Sequence, residues 1–125
     1  MNKPDEQGTI ITRETRQTIR DLPWNKHATC KGVFLKHLIT GAATNGQFSC
    51  HLVRVQAGCE ISEHIHAKNW ELHEVVTGAG RGFLNGQELA YQPGDTIVIP
   101  LGEKHRVVAE NADLYLWAKF IPALI

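Results

Sequence analysis

The amino-acid sequence predicts an all-β protein, an antiparallel barrel or jelly roll formed by a single domain. Many short segments rich in apolar and β-branched residues recur at regular spacing, and turn-forming Gly, Pro and Asn-Gly positions separate them. No convincing helical periodicity is visible after residue 25. A chain of 125 residues is long enough for one ordinary core and too short for two barrels.

Charge and composition exclude several classes of partner. Thirteen basic and thirteen acidic residues cancel, and no block of like charge stands out. We therefore expect neither nucleic acid nor an anionic membrane as a partner. The chain starts with polar residues and has no apolar stretch of membrane-spanning length, which predicts a cytoplasmic protein.

The three cysteines, Cys30, Cys50 and Cys59, are scattered and form no Cys-x-x-Cys pair. This pattern predicts reduced thiols rather than a disulfide framework or a thiolate zinc site. Cys59 precedes His64 by five residues, so it is either a redox-sensitive thiol at the rim of a site or a small packing residue at the end of a strand.

Residues 1–25 are predicted to form an N-terminal arm that is partly flexible or docked on the barrel. Residues 26–125 are predicted to form the barrel itself. The arm is polar at its start, and residues 9–12 could add an edge strand, also to a neighbouring subunit. Trp24 ends the arm and is predicted to anchor it by packing its large apolar surface onto the body.

The first barrel strands are predicted at residues 32–39 and 48–55, with a loop at residues 41–46 between them. Both faces of the second strand are mostly apolar, so the pattern does not say which face looks inward. His37 and His51, on these two strands, are interpreted as ordinary half-buried histidines.

Five further strands follow the central part of the chain. Asn85-Gly86 is the strongest short hairpin signal in the sequence, and Pro93-Gly94-Asp95 is another tight turn. The predicted strands cover residues 81–84, 87–91, 96–100, 105–109 and 114–120.

A cluster of metal-capable side chains lies in the middle of the chain. In an extended segment alternate side chains share a face, so His64 and His66 point the same way, and so do Glu71 and His73 if their segment is a strand. His105 would have to arrive from a distant strand. The set His64, His66, Glu71 and His105 would be a mixed nitrogen and oxygen shell, which suits one divalent Fe, Mn, Ni, Zn or Cu ion without choosing among them. Without a metal, the same histidines would form a polar pocket for an organic ligand.

Neighbouring polar residues compete with this set. Strand alternation sends Glu74 to the face opposite Glu71, and Glu63 away from the two histidines. His73 shares the face of Glu71 and is our candidate catalytic residue. It would be an acid or base near the substrate, a partner that orients Glu71, or a histidine that is merely hydrogen-bonded inside the barrel.

The spacing of these residues resembles the first of two motifs of the cupin superfamily. That motif reads Gly, five residues, His-x-His, three or four residues, Glu, six residues, Gly. The chain matches it with Gly58, His64, His66, Glu71 and Gly78.

The second cupin motif reads Gly, five residues, Pro-x-Gly, two residues, His, three residues, Asn. Gly94, Pro100, Gly102 and His105 match it, whereas Ala109 stands where the motif has Asn. The two motifs occur once each, which indicates a single barrel.

The resemblance implies a jelly-roll barrel, also called a double-stranded β-helix, with the metal held by His64, His66, Glu71 and His105. The superfamily includes dioxygenases, isomerases, decarboxylases, lyases, storage proteins and sugar-sensing domains, so the fold does not fix the function. Our first hypothesis is a small metal-dependent enzyme acting on an oxygen-rich small molecule such as a sugar acid or a diketone. The second is a non-catalytic module that binds or senses a small ligand.

Single-motif cupins commonly pair, so we also expect a homodimer through residues 114–120 and the N-terminal arm.

Overall fold

Two antiparallel β-sheets make up the body of the fold. The structure, a computed structural model, describes residues 3–125. Short 3-10 turns occur at Pro4–Glu6 and Ile19–Asp21. The strands are β1 (Thr9–Ile11), β2 (Arg16–Thr18), β3 (Asn25–Lys26), β4 (Val33–Ile39), β5 (Ser49–Val55), β6 (Glu60–His64), β7 (Trp70–Thr77), β8 (Gly80–Leu84), β9 (Gln87–Tyr91), β10 (Thr96–Ile99), β11 (His105–Ala109) and β12 (Leu114–Ile121).

The strand order is that of a jelly roll rather than of a simple meander. One sheet runs β10-β7-β12-β5-β4-β3 and the other β6-β11-β8-β9, with every pairing antiparallel. Strands that are distant in sequence are therefore neighbours in space. The predicted all-β antiparallel barrel is confirmed, and the predicted strands of the barrel are present with ends that differ by a few residues at most. Within the described range, no helix is long and apolar enough to span a membrane.

An apolar core fills the space between the sheets and settles which face of β5 looks inward. Val53 and Val55 pack into this core with Val33 of β4 and Leu116 of β12. Leu52, which directly precedes Val53, points to the outer side of the sheet, where a second cluster covers it. Both faces of β5 are buried, which explains why its sequence shows no alternation of apolar and polar residues.

The N-terminal segment supplies that second cluster. Ile19 is buried with Leu52 and Tyr115, and the ring centroids of Trp24 and Tyr115 are 6.4 Å apart. Trp24 thus packs on the body as expected. Strand β1 pairs with β2 in a small hairpin of its own, so the expectation that residues 9–12 extend a sheet edge is wrong within this chain. The boundary between arm and barrel at residue 25 stays a prediction.

Two local expectations need correction. The segment predicted as a loop at residues 41–46 contains a short helix, α1 (Gly41–Thr44), which ends where Asn45 takes a left-handed conformation with φ of 56°. His51 is fully buried rather than half-buried, because it lies on the inner face of the central strand β5, whereas His37 is half-buried. The Nδ1 atoms of these two rings are 2.8 Å apart, and burial together with the neighbouring His37 lowers the pKa of His51 to about 4.

Candidate metal centre

Strand pairing brings the four predicted ligands together. His64 ends β6, His66 follows in the loop, and Glu71 is near the start of β7. His105 begins β11, which pairs with β6 in a register that sets His105 opposite His64. One ligand atom from each of the four residues lies within 4.8 Å of the other three. The distant imidazole therefore reaches the same place as the local histidine pair.

The Glu71 carboxylate lies at the middle of this cluster. Its Oε1 atom is 3.5 Å from Nε2 of His66 and 3.1 Å from Nε2 of His105. The ring centroids of His64 and His105 are 4.0 Å apart. Glu71 and His105 are buried, and His64 and His66 are half-buried, so one side of the cluster opens towards the cavity described below.

Backbone carbonyls hold two of the imidazoles in the form that binds a metal. His64 Nδ1 is 2.8 Å from the carbonyl oxygen of Ser62, and His105 Nδ1 is 3.0 Å from that of Glu103. Since a carbonyl oxygen only accepts, each Nδ1 carries the hydrogen and donates it. The lone pair of each neutral ring is then on Nε2, and such outer contacts also fix the orientation of the ring.

Two buried atoms in the cluster have no hydrogen-bond partner among residues 3–125. They are Oε1 of Glu71 and Nε2 of His105, which approach each other at 3.1 Å without hydrogen-bond geometry. A carboxylate oxygen and the unprotonated nitrogen of a neutral imidazole are both acceptors, so they repel unless a positive species lies near them. Buried polar atoms without partners are rare and costly, and a cation satisfies both atoms at once. The residues present therefore fit a metal ion.

The protonation states of the cluster are consistent with a metal-binding site. Burial by itself raises the pKa of Glu71, but the adjacent His73 and His105 outweigh it and hold the pKa below its ordinary value. Burial lowers the pKa of both His64 and His66. Burial also acts to lower the pKa of His105, but the Glu71 carboxylate and the backbone carbonyl of Glu103 together raise it by more. At neutral pH the cluster thus has an ionised carboxylate and two neutral rings, the forms that bind a metal, beside a third ring that attracts either a proton or a metal.

His73 lies behind Glu71 and has both ring nitrogens engaged. Its Nε2 atom is 2.6 Å from Oε2 of Glu71, and its Nδ1 atom is 3.0 Å from the hydroxyl of Tyr91. Burial and the Glu71 charge raise the pKa of Tyr91, so the hydroxyl keeps its proton and can donate it to Nδ1. The Nε2–H group of His73 then donates to Glu71. This geometry favours the orienting role for His73 over that of a free acid or base.

The competing residues lie where strand alternation predicts. Glu74 forms an ion pair with Lys119 on the outer side of the sheet, and Glu63 is exposed. Cys59 packs against the core at the other end of β6 from His64 and does not line the cavity beside the cluster. The rim position considered for Cys59 is therefore wrong, and its packing role is supported.

A cavity of about 100 Å³ adjoins the cluster. Two of its lining residues, His27 and Leu124, were missed by the sequence analysis. His27 is a lone histidine in a polar segment and Leu124 lies in the C-terminal tail, so neither stands in a pattern that points to the site. The residues that line the cavity are His27, Val33, Leu35, Val53, Ile61, His64, His66, Glu71, His73, Ala118, Phe120 and Leu124.

The fold and the cluster define a class, namely a jelly-roll barrel with three histidines and a glutamate in its interior that could hold one metal ion. The model of the Cupin domain family matches residues 51–117, more than half of the chain, and the protein belongs to this family. No curated protein matches the sequence.

Solved structures show the same fold. A predicted oxalate decarboxylase from Thermotoga maritima is 21% identical with a TM-score of 0.76, covering 82% of this chain and 95% of its own. KdgF from Halomonas sp. is 23% identical with a TM-score of 0.73, covering 82% and 90%. An RmlC-like cupin from Shewanella frigidimarina is 19% identical with a TM-score of 0.73, covering 84% and 87%. At these identities the likeness concerns the fold alone.

Proposed function

We propose that this cupin is a small metal-dependent enzyme of the dioxygenase, isomerase or lyase type, acting on a small molecule that presents oxygen atoms to the metal. The observation that carries the proposal is the pair of unpartnered buried atoms, Oε1 of Glu71 and Nε2 of His105, inside a cluster of four ligand atoms. The nitrogen and oxygen donor set is suited to one divalent Fe, Mn, Ni, Zn or Cu ion.

A divalent ion bound there would polarise a substrate oxygen and leave positions open for water or substrate. The protein's own residues supply the rest. His64, His66 and His105 would hold the ion through ring nitrogens, and Glu71 would hold it through a carboxylate oxygen. His73 keeps the Glu71 carboxylate in place by donating to Oε2. The apolar side chains of the cavity limit the access of bulk water to the open side of the cluster.

The alternative function is a non-catalytic module that binds or senses a small ligand. It is favoured by one observation, the engagement of both ring nitrogens of His73 with Glu71 and Tyr91. With His73 occupied in this way, the cavity offers little general acid or base chemistry beyond the metal itself.

Measuring the metal content of the protein tests whether the cluster binds a metal ion. Protein purified without added metal and then loaded should retain about one ion per chain, as measured by elemental analysis. Glu71→Gln keeps the volume of the side chain but removes its charge, and it should lose the ion. Glu74→Gln is the matched control, because Glu74 is on the same strand and faces the other side of the sheet. Retention of the ion by Glu71→Gln with an unchanged circular dichroism spectrum would contradict the proposal.

Metal removal then separates the enzyme from the sensor. The protein is treated with a chelator and screened against small oxygen-donor molecules in both forms. Turnover that disappears in the apo form while the fold persists supports the enzyme. Ligand binding that is equal in the two forms, without turnover in either, supports the sensing module.

A further inference from the structure

Away from its histidines and Glu71, the wall of the cavity is apolar. Seven of its lining side chains are hydrocarbon, namely Val33, Leu35, Val53, Ile61, Ala118, Phe120 and Leu124. Within residues 3–125, the lining contains no Lys, Arg, Asp, Ser, Thr, Asn or Gln. Among the described residues, the polar side chains that a ligand meets here are His64, His66 and Glu71 of the metal cluster, His27, and His73, whose ring nitrogens are already engaged by Glu71 and Tyr91.

His27 is held in one tautomer by the turn that follows it. Its Nδ1 atom accepts hydrogen bonds from the backbone N–H groups of Thr29, at 3.1 Å, and Cys30, at 3.0 Å. A nitrogen that accepts carries no hydrogen, so the proton of the neutral ring is on Nε2, which makes Nε2 a hydrogen-bond donor. His27 and Val33 also line a wider outer groove of about 380 Å³, which places His27 where that groove meets the cavity.

The size and charge of the site further restrict the kinds of ligand that fit it. At about 100 Å³ the cavity is well below the roughly 300–1,000 Å³ of pockets for drug-sized ligands, so the ligand is small. A divalent cation beside one carboxylate and three neutral imidazoles leaves one net positive charge, which favours a monoanion. A buried hydroxyl that finds no partner loses its hydration without compensation, so an apolar wall disfavours a ligand with several hydroxyl groups.

We infer that the site selects a small monoanionic chelator with a short apolar body, such as a 2-hydroxy acid or the enolate of a diketone, and rejects polyhydroxylated sugar acids. The ligand uses its oxygens to bind the metal and to accept a hydrogen bond from Nε2–H of His27. This inference rests on the proposed function, since it requires a metal at the cluster.

The test uses the 125-residue chain loaded with Co²⁺, with metal content measured first. Matched pairs of chelators that differ only in hydroxyl groups are then titrated by calorimetry and by visible absorption of the Co²⁺. The pairs are lactate with glycerate, and 2-hydroxybutanoate with 2,3,4-trihydroxybutanoate. We expect the less hydroxylated member of each pair to bind about tenfold or more tightly, the typical effect of leaving a buried polar group unpaired. 2,4-Pentanedione should also bind.

Variants assign the selectivity to named residues. His27→Asn keeps a side-chain acceptor for the turn at Thr29 and Cys30 but is too short to reach the ligand. It should weaken lactate binding about fivefold or more, the typical effect of one lost hydrogen bond to a charged group, with metal content unchanged. Val53→Thr adds a hydroxyl to the wall at nearly constant volume, and it should reduce the preference for lactate over glycerate.

Metal binding and ligand selectivity are measured separately, so their failures are distinguishable. Failure to hold Co²⁺ overturns the proposed function and this inference with it. Retention of Co²⁺ with equal or tighter binding of glycerate and trihydroxybutanoate overturns the inference alone. Unchanged lactate binding by His27→Asn, with the metal and the fold intact, overturns the assignment of His27.

Discussion

The two oxygens of the Glu71 carboxylate have different surroundings. Oε2 accepts the hydrogen bond from His73, and Oε1 faces His66 and His105. An ionised carboxylate this deeply buried is stable only with compensating partners, because transfer out of water disfavours the charged form. His73 therefore does two things, since it stabilises the charge of Glu71 and leaves the other oxygen free for a cation.

His73 should tune the metal without binding it. We expect His73→Phe to lower metal affinity about 10–100-fold, the typical effect of losing a partner that orients a ligand, because Oε2 of Glu71 is left without its donor. A competition titration against a chromophoric chelator measures the affinity. His73→Gln keeps an N–H donor and should recover part of the loss, which also controls for misfolding of the Phe variant. Affinity equal to that of the unaltered protein in both variants would contradict the orienting role.

The hairpin of β8 and β9 supports the site from behind. It turns at Asn85 and Gly86, with φ of 49° and 81°, the left-handed values that favour Asn-Gly at this position. Gly82 of β8 lies against the ring of Tyr91, and a Cβ atom on Gly82 would collide with that ring. The missing side chain lets the Tyr91 hydroxyl reach Nδ1 of His73.

Gly82→Ala should therefore disturb both stability and the metal site. Overpacking against the buried Tyr91 ring is expected to cost about 1–3 kcal/mol in the free energy of unfolding. Metal affinity should fall as well, because the contact between Tyr91 and His73 is displaced. Urea denaturation and metal titration measure the two effects. Gln87→Ala, an exposed position on the same hairpin, should leave both unchanged. A Gly82→Ala protein with unaltered stability would show that the ring moves aside freely.

The expected homodimer concerns the whole molecule and stays a prediction. The strand assigned to the interface, β12, lies in the middle of the six-stranded sheet, and Ile19 and Trp24 of the same chain pack around its Tyr115. Two large side chains remain about half exposed next to each other in register, Ile121 at 49% and Trp70 at 47%. These two side chains, one on β12 and one on β7, are exposed and available to contact a second copy of the chain.

Sedimentation velocity at micromolar concentration tests the prediction. The unaltered chain should sediment as a dimer, and Trp70→Glu should shift it towards the monomer, because burying an unpaired charge in an apolar interface is costly. Leu101→Glu changes a similarly exposed residue in a loop and is the control. A monomer for the unaltered chain would refute the homodimer.

Much of the fold and the four residues of the candidate metal centre could be predicted from the sequence, because the signals are local. Strands show as short apolar runs between turn residues, and the hairpin at Asn85-Gly86 is encoded by two adjacent residues. His64, His66 and Glu71 stand within eight positions of one another, and His105 stands in a second recognisable motif. The Gly41–Thr44 helix was missed because a single helical turn leaves no period to detect.

The sequence by itself determined the all-β class and the identity of the residues that can meet a cation, since both follow from side-chain chemistry and spacing over a few residues. Only the tertiary structure decided that His51 is fully buried, that His73 supports Glu71 rather than standing free, and that His27 and Leu124 line the cavity. The physical reason is that these properties depend on contacts between strands and segments far apart in the chain, such as Tyr91 with His73, and on the barrel residues that line the cavity together with His27 and Leu124.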